Sequence, residues 1–199
     1  MNALNEKVLE YGVRQPEGAP LSAKELLHLG SRAALDQALS RLARSGKLLK
    51  VDRGLYVLPI KSRFGTRAPS TEKVVSEVAK LRGETIVPNG AAAANALGLT
   101  TQVPMRSGFL TSGRSRQWKF GAQVVELKHA PNWQLTKAGQ PAGEAVRALA
   151  WIGPAHAREA LGRLKRQLPA SVLREIAASR AALPEWLAKT ISTELVANG

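Results

Sequence analysis

Apolar residues recur along this chain in two rhythms, one of about 3.6 residues and one of two, and the places where one gives way to the other mark its elements. In MNALNEKVLEYGV, Leu4, Val8 and Tyr11 keep helical spacing until the polar run RQPEGAP breaks it. The next segment, LSAKELLHLG, predicts a second, short helix. Its Ser22 can accept from the Glu25 amide while the Glu25 carboxylate reaches back, and Leu21 and Leu26 are spaced as a hydrophobic staple. Gly30 ends it, and Ser31 at once offers a cap to a third helix, SRAALDQALSRLARSG. Leu35, Ala38, Leu39 and Leu42 line one side of that helix; Ala33, Asp36, Gln37, Ser40, Arg41 and Arg44 fall on the other, and Gly46 supplies the stop. The strands KLLKV and LYVLP then pair around Asp52-Arg53-Gly54, where Gly54 can take the positive φ of a tight hairpin. Three helices and a hairpin, in that order, predict a winged helix-turn-helix over residues 1–60.

Residues 61–70, KSRFGTRAPS, hold Gly, Pro and several cations without periodicity and read as a linker. Beyond it, STEKVVSEVAKLRG predicts a capped amphipathic helix, ETIVPNG a short buried strand, and GAAAANALGL a helix of small residues suited to close packing. MRSGFLTSG, SRQWKFG and AQVVELKHA alternate as strands between Gly turns and predict a small mixed sheet. The chain then returns to helices in AGEAVRALAWIG, PAHAREALGRLKRQL, PASVLREIAASRA and LPEWLAKTISTELVA, three of them opened by proline. Arg163, Lys165 and Arg166 surround a stripe of Leu161, Leu164 and Leu168, which predicts bundle packing rather than a membrane-surface helix. The expected class is α+β: an N-terminal winged helix-turn-helix over 1–60, a linker over 61–70, and a mixed α/β C-terminal domain over 71–199 ending in short helices.

Charge narrows the partner. With 29 Lys+Arg against 15 Asp+Glu the chain carries a formal +14, which points to a polyanion, nucleic acid before an anionic membrane. Residues 1–69 hold twelve cations against six acids, and the remainder seventeen against nine, so the excess is not confined to the winged segment. No apolar run approaches the roughly 18 residues of a membrane span, and MNALNEKVLEYG has no basic start followed by an apolar block. A cytoplasmic protein is expected. Absent cysteine excludes disulfides and thiolate metal sites. His28, His129 and His156 stand far apart without companion acids, so neither a metal nor a cofactor is expected. RGETIVPNG and RSGFLTSGRS match neither phosphate-loop nor dinucleotide patterns, and no nucleophile stands beside a base, so no catalytic role is expected.

The outer side of the third helix is the candidate for DNA. Ser31 and Arg32 open it, and Gln37 and Arg41 sit one turn apart with Ser40 between them. Gln to adenine and Arg to guanine are ordinary major-groove pairings. Arg44, Lys47, Lys50 and the hairpin-tip Arg53 are placed for phosphates or a narrowed minor groove. Asp36 either accepts from a cytosine amine or pairs with Arg32 or Arg41 along the helix. A secondary candidate is TSGRSRQWKFG, where Ser112, Arg114 and Arg116 would bind an anion beside Trp118 as a stacking platform. The competing account of that hairpin is a solvated sheet edge.

Taken together, GKLLKVDRGLYVLP, the basic IKSRFGTRAPS, the helix TEKVVSEVAK, IVPNGAAAANALGLTTQVP and FLTSGRSRQWKFG resemble, over about residues 1–150, the AbiEi-like transcriptional regulators among AbiE-type (type IV) antitoxins. The resemblance implies an antitoxin and repressor of a toxin-antitoxin operon, whose partners are operator DNA and a nucleotidyltransferase-like toxin. It places the DNA-reading helix on Ser31 to Ser45, the wing on Lys50 to Leu55 and the antitoxic part on residues 70–199. The chain departs from longer members in a compact C-terminal region of short helices. A basic winged helix often works as a dimer on paired half-sites, which leaves a homodimer on DNA open here, though nothing in the sequence sets its interface or spacing. Two alternatives carry other consequences: a protein-interaction module that neutralises a toxin by direct contact without reading DNA sequence, and an RNA-binding factor using Arg114, Arg116 and Trp118.

Overall fold

Val8 is fully buried, and it is the residue around which α1 (Ala3–Val13) docks in the computed structural model. The structure describes residues 3–63, 65–102 and 107–196. After α1 come β1 (Pro20–Leu21), α2 (Arg32–Arg44), β2 (Leu49–Asp52) and β3 (Leu55–Val57). Leu21, Leu26, Leu35, Leu39, Leu42, Leu48 and Tyr56 join Val8 in one core cluster. Each buried leucine contributes roughly 1.5–3 kcal/mol. The three strands form an antiparallel sheet in the order β1-β3-β2, with Leu21 opposite Tyr56 and Lys50 opposite Tyr56 on the other side.

The expected second helix does not form. Its cap does: Ser22 Oγ donates to Glu25 at 3.1 Å and accepts from the Glu25 amide at 3.4 Å. Leu26 N then bonds Ser22 O and Leu29 N bonds Leu26 O, but residues 23–29 remain successive turns. The first of these bonds spans four residues and the second only three, so the helical ladder opened by the cap is not continued. Ala23 and Leu26 are nevertheless buried.

Residues expected as a linker contain a hairpin, β4 (Ile60–Ser62) paired with β5 (Gly65–Arg67). Next comes α3 (Thr71–Arg82), capped by Ser70, whose side chain accepts from Lys73 N, and closed by Gly83 in the left-handed region. Val74, Val75 and Val78 are its buried face. The chain goes on through β6 (Ile86–Pro88), α4 (Gly90–Ala96), β7 (Ser107–Thr111), β8 (Arg116–Phe120) and β9 (Gln123–His129). The helices α5 (Asn132–Leu135), α6 (Pro141–Ile152), α7 (Ala157–Gln167), α8 (Ala170–Ser179) and α9 (Glu185–Ile191) follow, and Ser192–Val196 is a π-helical extension. Met105 and Arg106, read as the start of a strand, lie outside the described residues.

The chain is a mixture of helix and strand divided into two units. One comprises Met1–Glu84 and Arg116–Glu126, so β8 and the first half of β9 belong with the N-terminal elements. The other comprises Thr85–Ser115 and Leu127–Gly199. In this second unit β6 runs antiparallel to β7, with Val87 opposite Leu110. Leu149, Leu161, Leu164, Ile176, Leu187 and Ile191 form the centre of its helical core. The small residues of α4 serve close approach: a Cβ on Gly90 would lie 2.6 Å from the Arg147 carbonyl, and Ala93 and Ala94 cluster with Ala148. Arg147 itself is 2 % exposed. Burial presses its guanidinium below the ordinary arginine pKa, with Glu144 opposing, and its Nη1 donates to the Gln134 carbonyl at 3.3 Å. No helix among the described residues is long and apolar enough to cross a membrane.

Candidate nucleic-acid interface

The two sides of α2 have opposite environments. Leu35, Ala38, Leu39 and Leu42 are buried, whereas Arg32, Ala33, Asp36, Gln37, Arg41 and Arg44 are exposed. Ser40, at the margin, is half-buried. Ser31 caps the helix by accepting from Ala34 N at 3.4 Å, which leaves its hydroxyl proton available to a phosphate.

Two side-chain pairs lie along the open side. Arg32 Nε donates to Asp36 at 3.1 Å, so the acid that had two candidate roles is engaged by the first turn. Arg41 Nη2 donates to Gln37 Oε1 at 3.2 Å. Exposed i, i+4 pairs are worth only about 0.3–0.5 kcal/mol. These bonds therefore hold the heads in position yet cost little to break.

Gly46, with φ +71°, turns the chain out of α2. The amides of Lys47 and Leu48 both donate to Leu42 O, at 2.9 and 3.2 Å, which fixes where β2 begins. Lys47 and Lys50 stay exposed while Leu48 and Val51 are buried. At the hairpin tip Asp52 faces Leu55 across the two-residue turn Arg53-Gly54. Gly54 has φ +69°, and Arg53 is exposed. Every primary candidate, Ser31, Arg32, Gln37, Ser40, Arg41, Arg44, Lys47, Lys50 and Arg53, thus belongs to the first unit, and all but Ser40 are exposed.

The residue that sequence reasoning missed is Asp52. Its carboxylate accepts from Arg53 N at 2.8 Å, from Arg82 Nη2 at 2.7 Å and from the Trp118 indole N–H at 3.2 Å. The tip is thereby fixed to the end of α3 and to β8. Burial works to raise the Asp52 pKa, but the bonds from Arg53, Arg82 and Trp118 outweigh it and hold the carboxyl below its ordinary value. An Asp before a tight turn was visible in sequence; its two remote partners were not.

The secondary candidate is altered by burial. Trp118 is 0 % exposed and occupied by Asp52, so its faces offer no stacking platform. The alternation in RQWKF contained the clue, since Trp118 and Phe120 share the buried side and Gln117 and Lys119 the exposed one. Arg116 bonds Glu84 at 2.5 Å and lies 5.1 Å from the Trp118 ring. Arg114 is exposed, in the other unit. There the Ser112 hydroxyl accepts from Thr85 N.

His28 packs its ring on Tyr11 at 5.3 Å, His129 Nδ1 is 2.8 Å from Gly113 O, and His156 precedes α7. Among the described residues no group of three His, Cys, Asp or Glu could hold a metal ion.

The family of unknown function DUF6088 matches residues 7–174. Comparison with curated proteins found no match.

Proposed function

We propose, for a chain that belongs to the family of unknown function DUF6088, the role of a non-enzymatic DNA-binding repressor that autoregulates its operon and serves there as an antitoxin. In this reading residues 1–60 act as a winged helix in the cytoplasm, with the turns of 23–29 standing where a second helix is usual. Arg32, Gln37 and Arg41 read base edges; Ser31, Arg44, Lys47, Lys50 and Arg53 take phosphates. The observation that carries it is the division of α2 into a leucine side seated in the core and a cationic, hydrogen-bonding side left open. Asp52 adds support, because a wing that presents Arg53 to a duplex works best with its tip held.

The antitoxin part rests on the resemblance of the quoted segments to AbiEi-like regulators, with a nucleotidyltransferase-like toxin as partner. Co-expression with the neighbouring gene product tests it: growth is rescued under the proposal, and toxicity in the chain's presence contradicts it. Nuclease footprinting on the chain's own upstream DNA tests repression. A protected site that is occupied twice, with half-sites about one helical turn apart, is the result expected of a homodimer. Arg41→Ala should weaken binding and relax base preference by about 1–3 kcal/mol, whereas Arg53→Ala should weaken binding to all sequences alike. If both variants bind as the parent does, the reading face is misassigned. Burial of Trp118 removes the main support for single-stranded RNA as the ligand.

A further inference from the structure

Neither reading of the β8 segment, an anion contact or a solvated edge, suits a tryptophan that is 0 % exposed. β8 belongs to the first unit and packs against β2, the strand that leads into the wing tip.

The Asp52 carboxylate joins the two strands, and its oxygens have separate tasks. Oδ1 accepts from the Arg53 amide at 2.8 Å. Oδ2 accepts both from Arg82 Nη2 at 2.7 Å and from Trp118 Nε1 at 3.2 Å. The last torsion of an aspartate is broad when nothing restrains it. Here α3 and β8 hold one oxygen from two sides, which keeps the other on the turn. Trp118 is itself fixed: its ring is buried, the Arg116 guanidinium lies 5.1 Å from the ring centroid, and Arg116 Nη2 bonds Glu84 at 2.5 Å, just beyond α3.

We infer that Trp118 and Arg82 are positioning residues for the wing, which through Asp52 set where the exposed Arg53 is presented to a duplex. The inference rests on the DNA-binding reading above. It gives β8, whose Trp118 lies sixty-six residues from Asp52 in sequence, a part in a contact that β8 itself does not make. A tip ordered before binding loses less conformational freedom on binding, so the lock raises affinity without adding a contact. Arg53 faces phosphates in this reading, so the gain is the same for every sequence.

The test is a double-mutant cycle in the full chain, read as affinity for duplex DNA from its own upstream region and for a random duplex at fixed salt. Trp118→Phe keeps a buried ring and removes the indole N–H. It should weaken binding to both duplexes by the same factor, no larger than the loss in Arg53→Ala, and should weaken nothing further in an Arg53→Ala background. Arg82→Gln should behave alike, and it decides the matter if urea unfolding shows Trp118→Phe to be unfolded. A role in stability alone lowers affinity equally with or without Arg53, so additive losses would overturn the inference. Parent-like binding by Trp118→Phe and Arg82→Gln, with Arg53→Ala still weak, would overturn it too and leave the repressor reading standing. A parent that binds no duplex would end the repressor reading, and the positioning role with it.

Discussion

Asp52 accepts hydrogen bonds from three separate parts of the chain, and its replacement is the most informative single change. Asp52→Ala leaves the buried Trp118 N–H without its acceptor and should cost about 1–3 kcal/mol in urea unfolding. Asp52→Asn keeps the shape and removes the charge. Because the folded-state pKa lies below the unfolded value of about 3.8, the carboxylate's contribution is complete above that value and is lost as pH falls through the folded pKa. The stability gap between parent and Asp52→Asn should therefore be constant near neutrality and shrink on acidification below about pH 4 to 5. A gap that persists unchanged to pH 2 would show that charge is not what Asp52 contributes. At this scale the sequence was legible where partners are four residues apart, as for Arg32 with Asp36. It was opaque where they are thirty or sixty-six apart, as for Asp52 with Arg82 and Trp118.

At the scale of elements, α2 was readable because everything that makes it is local: the Ser31 cap, the leucine stripe and the Gly46 stop. Ser31→Ala should lower stability by about 1 kcal/mol in thermal unfolding, and no loss would deny the cap its role. The segment 22–29 shows the limit of that logic, since the cap forms and Ala23 and Leu26 are buried, yet the backbone bonds that follow do not keep helical spacing. β1 has no rhythm of its own and exists through pairing with β3. β4 and β5 lack apolar alternation, so composition alone made them resemble a linker. In the second unit the small-residue helix α4 was read correctly as a close-packing element. Gly90→Ala drives a methyl toward the Arg147 carbonyl and should cost about 1–3 kcal/mol. A chemical denaturation midpoint equal to the parent's would contradict that packing.

For the whole molecule the governing quantity is a formal charge of +14. On the DNA-binding reading proposed above, charge of this size would give any duplex some affinity, steeply weakened by salt, so binding at low salt would discriminate nothing. Specific recognition requires the open side of α2 to add base contacts to that electrostatic background. The decisive measurement is the affinity of the intact chain for its own upstream DNA relative to a random duplex, taken near 0.15 M salt. The account predicts a preference on the order of a thousandfold or more, reduced by Arg41→Ala and kept by Arg53→Ala. Equal affinity for the two duplexes would contradict it.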